Sequence, residues 1–340
     1  MNTAKITALG LLERDVNEDV MCVWSYPAVS KEHGEVLVKR CGLEDKKIAE
    51  VFRWSKLGNT WQYMLTTSID DLKYPRVKAA CLVVLSEVFN PEMFNSLLKV
   101  LVSEYKAALT PTPLIKAYLK LFRSSSYGGW ADKKFDNRRA LIAGSIKSVV
   151  KTFGQQIALL WTAVVLKKRI FVYADSLSEV LSLVRTMPLF GSWHRNNWGI
   201  LRPLVCLGEE ELKDLTNAKV YVAGTLDERA SSKAQYFDLF VDATSAKITV
   251  PSHAKVGMGM TAFHKDFAVN VMKAAESESE QGVIKIVAFK TKALIDSVKK
   301  IKNELQVDSL KLSDLAKHEK LSEATARFFF DVAISEGLAG

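Results

Sequence analysis

The 340-residue sequence is poor in the residues that build reactive centres. Its four cysteines, Cys22, Cys41, Cys81 and Cys206, are scattered and form no CxxC pair. That excludes a paired-thiol zinc or redox motif and reads as free thiols in a reducing compartment, with the cytosol as the expected location. The five histidines, His33, His194, His253, His264 and His318, lie far apart, with no two at ligand spacing on one helix face. GxxxxGK(S/T), HExxH and GxSxG are all absent, so the phosphate cradle, the zinc helix and the nucleophile elbow are not expected. Carboxylates are plentiful but not paired in apolar surroundings, which leaves no acid/base couple to name. There is no Asn-x-Ser/Thr sequon, and the apolar start is short, alternating and ends in charge, unlike a secretory signal.

Long hydrophobic runs are missing too. The apolar stretch Ile157 to Leu166 is half of what a bilayer needs. It stops at Lys167, Lys168 and Arg169, and a second apolar run begins at once. Ile157, Leu160, Trp161, Val164 and Val165 recur at helical spacing among residues that are also apolar, so the first run reads as an interior helix. Upstream, Ile142, Ile146, Val149, Val150 and Phe153 form an amphipathic face, with a break expected at Gly154. Ile170 to Tyr173 is short, β-branched and aromatic, the pattern of a buried strand. Ser176 and Glu179 then fit a capping box for a helix carrying Leu177, Val180, Leu181 and Val184, ended by Pro188. The stretch is therefore helix, strand, helix. Its three cations are expected at the turn with their heads in water, favoured by the helix C-terminus.

What is present in abundance is a soluble, globular mixture: 48% hydrophobic, 25% charged, net charge +9. The lysines are spread along the chain, which describes a solvated cationic surface more than a nucleic-acid patch. Ile6 to Leu12 and Val20 to Tyr26 alternate across a polar turn and read as an antiparallel hairpin. A helix is expected around Ser30 to Arg40. Ile48 to Trp54 and Trp61 to Ser68 flank Gly58-Asn59, a second hairpin, and Val77 to Leu85 is another strand. Asn90 and Pro91 open a helix bearing Phe94, Leu97, Leu98, Leu101, Val102 and Tyr105. The order ββαβββα is an antiparallel sheet flanked by helices.

ThrProThrPro at 110–113 and a short helix to Phe122 precede an apparent linker. The expected domains are 1–123, a linker at 124–135, and 136–340. Beyond the linker, helices alternate with buried strands at Ile170 to Tyr173, Ile200 to Val205 and Val220 to Ala223, an α/β layer. Phe237 to Asp242 and Lys247 to Val250 read as an edge hairpin. GluSerGluSerGlu at 276–280 reads as an acidic loop, and residues 283–338 as helices. No solenoid repeat is seen.

Two motifs are decoys. Gly257-Met258-Gly259-Met260-Thr261-Ala262 matches GxGxxA, but six residues separate it from the preceding strand, which the dinucleotide fold does not allow. Residues 310–330 resemble a helix-turn-helix. Its second helix would carry Glu323 and Asp331 against Arg327 and would be repelled by phosphates, so no nucleic-acid partner is expected.

Several stretches together resemble the DENN-domain family. LeuGlyLeuLeuGluArgAsp at 9–15 with ValTrpSerTyrPro at 23–27 is similar to its first strands. PheAspAsnArgArgAlaLeuIleAlaGlySerIleLysSerValVal at 135–150 resembles the entry to its central part. AlaLeuLeuTrpThrAlaValValLeuLysLysArgIlePheValTyrAla at 158–174 is similar to its helix, Arg-Ile, strand signature. TrpHisArgAsnAsnTrp at 193–198 and TyrValAlaGlyThrLeuAsp at 221–227 follow in order. The similarity spans nearly the whole chain, as in the minimal, DENN-only members.

The resemblance implies an α/β fold with two lobes, a longin-like antiparallel sheet module followed by a helix-rich α/β DENN lobe. It implies a Rab GTPase partner and guanine nucleotide exchange, peripherally on late endosomal membranes. It also implies an alternative, a structural subunit of an endosomal recycling assembly (Commander) held through a coiled-coil partner. Neither role needs a cofactor, a metal or a catalytic residue. The partner-binding candidates are Trp193, His194, Arg195 and Trp198 in one aromatic, basic loop, and Phe135, Asp136 and Arg138 in the family motif. Aromatic and arginine anchors are the residues that carry most interface energy. The same tryptophans could serve as filler between modules, and Asp136 and Arg138 as an ion pair fixing the linker.

Overall fold

The computed structural model describes residues 4–45, 48–69, 74–191, 197–317 and 321–339. The chain divides into two compact units, Met1–Leu141 and Ile142–Gly340.

The first unit runs β1 (Ile6–Asp15), β2 (Val20–Tyr26), α1 (Lys31–Arg40), β3 (Val51–Leu57), β4 (Thr60–Ser68), β5 (Val77–Ser86), α2 (Pro91–Ala108) and α3 (Thr112–Ser124). A small ladder of β6 (Ser126–Tyr127) and β7 (Trp130–Ala131) follows, then α4 (Asn137–Ile142). The five long strands form one antiparallel sheet in the order β2-β1-β5-β4-β3. Both expected hairpins are there. In the first, Asp15 Oδ1 accepts from the Asn17 and Asp19 amides at 2.7 and 3.0 Å and closes the turn. In the second, Leu57 pairs with Thr60 across Gly58-Asn59, and Gly58 sits at φ +55°, the left-handed region a two-residue turn demands.

Period-two alternation sends side chains to both faces. Ala8, Leu12, Met64, Cys81 and Val83 pack with Leu37 of α1. On the other face Tyr63 stacks on Phe94 of α2 at 4.3 Å, and Tyr105 donates to Glu13 Oε1 at 2.6 Å. With helices on both faces, β4 and β5 are buried nearly throughout. The Asn90 side chain accepts from the Met93 amide at 3.1 Å, with Pro91 in the first turn of α2. The cysteines are free thiols, two of them fully buried, and burial pushes Cys41 up to about 11.

The second unit runs α5 (Ile146–Phe153), α6 (Ile157–Val165), β8 (Arg169–Tyr173), α7 (Leu177–Thr186), β9 (Leu201–Arg202), α8 (Glu209–Asn217), β10 (Tyr221–Thr225), β11 (Leu239–Asp242) and β12 (Lys247–Thr249). Four more helices close it: α9 (Ala262–Ser277), α10 (Glu280–Glu304), α11 (Leu312–Ala316) and α12 (Glu323–Ser335). The sheet order is β12-β11-β8-β10-β9, parallel except for the β11–β12 edge hairpin. An antiparallel sheet module followed by a helix-rich α/β module is the expected architecture. No helix among the described residues is long and apolar enough to cross a membrane.

Helix α6 is buried on nearly every side. Its Trp161 stacks on Phe267 of α9 at 4.2 Å and donates its indole N–H to Thr291 of α10 at 2.9 Å. The helix, strand, helix reading of 157–186 holds, and Ser176 accepts from the Glu179 amide at 3.3 Å.

Three details differ from expectation. The cations at 167–169 do not simply face water. Lys167, at φ +52°, donates to the Ser335 carbonyl and lies 3.7 Å from Glu336, while Arg169 is bound to Asp238 at 2.8 Å. Lys168 is half-buried, with its charge near Asp331 of α12. The turn is thus a set of docking points for the sheet and the last helix. Second, the run 200–205 gives only the two-residue strand β9, because Pro203 has no N–H for the ladder. Third, the acidic stretch 276–280 is mostly helix end and helix start: Ser279 caps α10 by accepting from the Gly282 amide at 3.2 Å, and Glu280 favours the positive end of that helix.

Both decoys fail in the fold. The strand before Gly257 is an antiparallel edge strand followed by a 3₁₀ turn at Ser252–Met258, not the parallel strand, tight turn and helix a dinucleotide needs. Helix α12 buries Thr325, Ala326, Phe328, Phe329, Val332 and Ala333, so much of its surface is core, not groove-reading face.

Candidate partner-binding site

The motif Phe135 to Arg138 lies in the first unit, and the fold gives each of its residues a separate task. Phe135 follows the 3₁₀ turn Asp132–Lys134 and stacks on Trp130, centroids 6.3 Å apart. Trp130 is buried and donates its indole N–H to the Met93 carbonyl at 3.1 Å, which anchors the pair to α2. Asp136 starts α4. Its Oδ1 accepts from the Arg138 amide at 2.9 Å, and its carbonyl accepts from Arg139 and Ala140. The carboxylate is engaged by Arg138's backbone, so the motif works as a helix start; the sequence suggested an ion pair. Asn137 accepts from Asn90 Nδ2 at 2.8 Å, which ties the motif to the cap of α2. Arg138 and Arg139 are exposed, as are Lys133 and Lys134 before them. The result is a cationic segment on a rigid footing of Trp130 and Asn90.

Trp198 lies in the second unit. Trp193, His194 and Arg195, the rest of that candidate loop, lie outside the described residues. Trp198 is half-buried in the 3₁₀ turn Asn197–Ile200, which feeds straight into β9. Arg202 of β9 donates to the Gly199 carbonyl at 3.2 Å and lies 3.7 Å from Asp214 of α8. The end of the loop is therefore fastened to the amino end of the parallel sheet. At that same end Arg169 grips Asp238, and His253 lies 3.3 Å from the same carboxylate. Burial would raise the Asp238 carboxyl, but the Arg169 hydrogen bonds and charge hold it below the usual carboxylate range.

The opposite end of the sheet carries a feature that sequence reading missed. Strand β8 is central, with β10 on one side and β11 on the other, which makes its carboxyl end a switch point where open α/β sheets receive ligands. An aspartate ends or closely follows each of the three strands: Asp175, Asp227 and Asp242. The Tyr173 hydroxyl donates to Asp175 Oδ1 at 2.5 Å, and that bond, with partial burial and the charges of Asp175, Glu228 and Asp242, lifts the phenol to about 12. Asp242 accepts from the Ser245 amide and hydroxyl at 3.1 and 2.7 Å, and Asp227 is clasped by Arg229. The signal was legible in principle, as one aspartate within two residues of the end of each of these three strands. No group of three or more His, Cys, Asp or Glu among the described residues is arranged to hold a metal ion.

These surfaces offer charged and aromatic groups held by backbone caps and core stacking, which suits recognition of a macromolecule. The family model described as DENN domain-containing protein 11 matches residues 2–253. The chain belongs to the DENN-domain family. Among curated relatives, the DENN domain-containing protein 10 of Dictyostelium discoideum is 34% identical over 361 residues, covering 98% of each chain. That of Danio rerio is 33% identical over 340 residues and covers 97% of each. That of Homo sapiens is 31% identical over 347 residues, covering 98% of this chain and 97% of its own. The relatives thus extend through helices α9 to α12, which lie beyond the family-model match.

Proposed function

We propose that the chain is a Rab GTPase-binding guanine nucleotide exchange factor. The observation that carries this reading is the end-to-end similarity to DENN domain-containing protein 10, at 98% of both chains in the Dictyostelium case. Exchange makes and breaks no covalent bond. The factor binds the nucleotide-free GTPase more tightly than the loaded one, and by reciprocity its binding loosens the nucleotide by the same factor. What that requires is a surface of rigidly held anchors. In this reading Trp193, His194, Arg195 and Trp198 form one contact region, and Arg138, positioned by Phe135 and Asp136, forms another. An exposed guanidinium offers forked donors to a carboxylate on the GTPase. In this reading the chain works peripherally on late endosomal membranes.

The test is nucleotide release from a panel of purified Rab GTPases loaded with fluorescent GDP. Faster release from at least one supports the reading. No acceleration across the panel, together with stable capture of a coiled-coil subunit of the endosomal recycling assembly, supports the structural-subunit role instead.

A further inference from the structure

Two of the most exposed large apolar side chains in the second unit lie on neighbouring helices. Phe289 of α10 is 69% exposed and Val269 of α9 is 61% exposed. Single exposed apolar residues are ordinary. These two differ in their setting. Helices α9 and α10 are consecutive, joined through Glu278 and Ser279, and pack against each other. Asp266 of α9 and Lys290 of α10 pair at 2.7 Å and stitch the flanks of the two helices together. Val269 lies one turn from Asp266, and Phe289 is the neighbour of Lys290. Both sit on the side of their helix away from the core, since the buried positions of α10 are Val283, Ile284, Val287, Thr291, Leu294, Ile295, Val298 and Ile301.

Around them the surface is cationic. Lys273 follows Val269 by one turn on α9, and Lys285, Lys292 and Lys299 share the outer stripe of α10 with Phe289; all four are exposed. Helix α10 as a whole carries six lysines against Glu280, Asp296 and Glu304. Asp296 lies in the stripe itself, while Asp266 is neutralised by Lys290. A phenyl ring set among lysines on the outer face of a helix about 37 Å long is the pattern of a surface that lies on a bilayer. The lysines meet the headgroups, and the ring enters the acyl boundary. A free phosphate would satisfy the lysines but leave the ring in water.

We propose that the α9–α10 face docks on an anionic phospholipid membrane, through Phe289 and Val269 ringed by Lys273, Lys285, Lys292 and Lys299. This stands independently of the exchange reading, because it uses no residue assigned to the GTPase. The test is co-sedimentation of the full chain with vesicles of phosphatidylcholine alone or mixed with phosphatidylserine. The chain sediments with the mixed vesicles and not with the neutral ones, and added salt weakens the binding. Neutralising Lys285 or Lys299 to Gln weakens it about fivefold each. Phe289→Ser weakens it on the order of tenfold. Thermal melting of each variant matches the parent, since all three side chains are exposed or solvent-facing. The proposal is overturned if mixed vesicles leave the chain in the supernatant, if neutral vesicles bind it equally, or if the variants bind like the parent. It is also overturned if the chain is a dimer in solution that Phe289→Ser converts to monomer, because a second copy would then cover this face.

Discussion

Arg169 holds Asp238 with a forked grip: Nη2 reaches Oδ1 at 2.8 Å and Nε reaches Oδ2 at 3.2 Å, while the Arg169 amide donates to the same Oδ2 at 2.9 Å. The pair joins the first residue of β8 to the residue that precedes β11, so it sets the register of two neighbouring parallel strands. Arg169 also reaches the Gln235 carbonyl at 2.9 Å.

Lysine cannot reproduce that fork. Arg169→Lys should lower stability by about 1–2 kcal/mol, and Arg169→Ala by about 3 kcal/mol, because it leaves a carboxylate that is mostly buried without its partner. Urea denaturation of the two variants checks the order. Equal midpoints for parent and Lys variant would mean that charge alone is enough.

His264 makes the pH prediction. It is fully buried, its ring 4.3 Å from Phe328 and 5.8 Å from Trp161. Its Nδ1 accepts from the Thr261 amide at 2.9 Å, which puts the ring proton on Nε2, where no acceptor is found among the described residues. Burial pushes the imidazole down to about 4. The unfolded chain binds a proton near pH 6.5, and the folded chain does not until about pH 4. Stability from this group is therefore complete above about pH 6.5 and falls as pH drops toward 4, by up to about 3 kcal/mol. His264→Gln should be less stable at neutral pH but flatter in that window. Melting temperatures from pH 7 to pH 4.5 measure both slopes; parallel slopes would contradict the assignment.

Gly224 is the point of closest approach between β10 and α7. A Cβ there would lie 2.6 Å from the Pro203 carbonyl oxygen and from Val180 Cγ1, and 2.7 Å from Val184 Cγ2. The carbonyl is backbone and cannot rotate away. Gly224→Ala should cost about 1–3 kcal/mol through overpacking, seen as a melting point several degrees lower. Gly58→Ala makes a useful contrast. Apart from its own residue and chain neighbours, no atom would lie within 4 Å of a Cβ there, so its cost comes only from the φ of +55°.

The candidate partner-binding residues separate by effect. Arg138→Glu should slow nucleotide release from the responsive Rab by roughly tenfold or more, with the melt unchanged, because the side chain is exposed. Asp136→Ala should lower stability by about 1 kcal/mol, because it removes the cap of α4. A Rab assay run beside a thermal melt distinguishes the two. Loss of stability with Arg138→Glu, or a release defect without it for Asp136→Ala, would reverse the assignments.

The sequence exposes what is local. The hairpin at Gly58-Asn59, the cap at Asn90 and Pro91, the cap at Ser176 and the edge hairpin of β11 and β12 all depend on residues a few positions apart, and all were legible. The Arg169–Asp238 grip spans 69 positions and the Trp161–Thr291 bond spans 130, so neither leaves a periodic trace. That is why the three cations at 167–169 looked like a solvated turn. The motif at 135–138 was recognisable as a motif, but its chemistry was not. Asp136 could not be told from an ion-pair partner until its oxygen was seen on a backbone amide. The acidic carboxyl edge of the second sheet was written in the chain, yet only the strand order shows that Asp175, Asp227 and Asp242 share one edge.

The most direct measurement is the affinity of the chain for a responsive Rab in its nucleotide-free and GDP-loaded forms. Differential binding predicts tighter capture of the empty GTPase, by the same factor as the chain weakens GDP binding. Equal affinity for the two forms would contradict exchange by this mechanism.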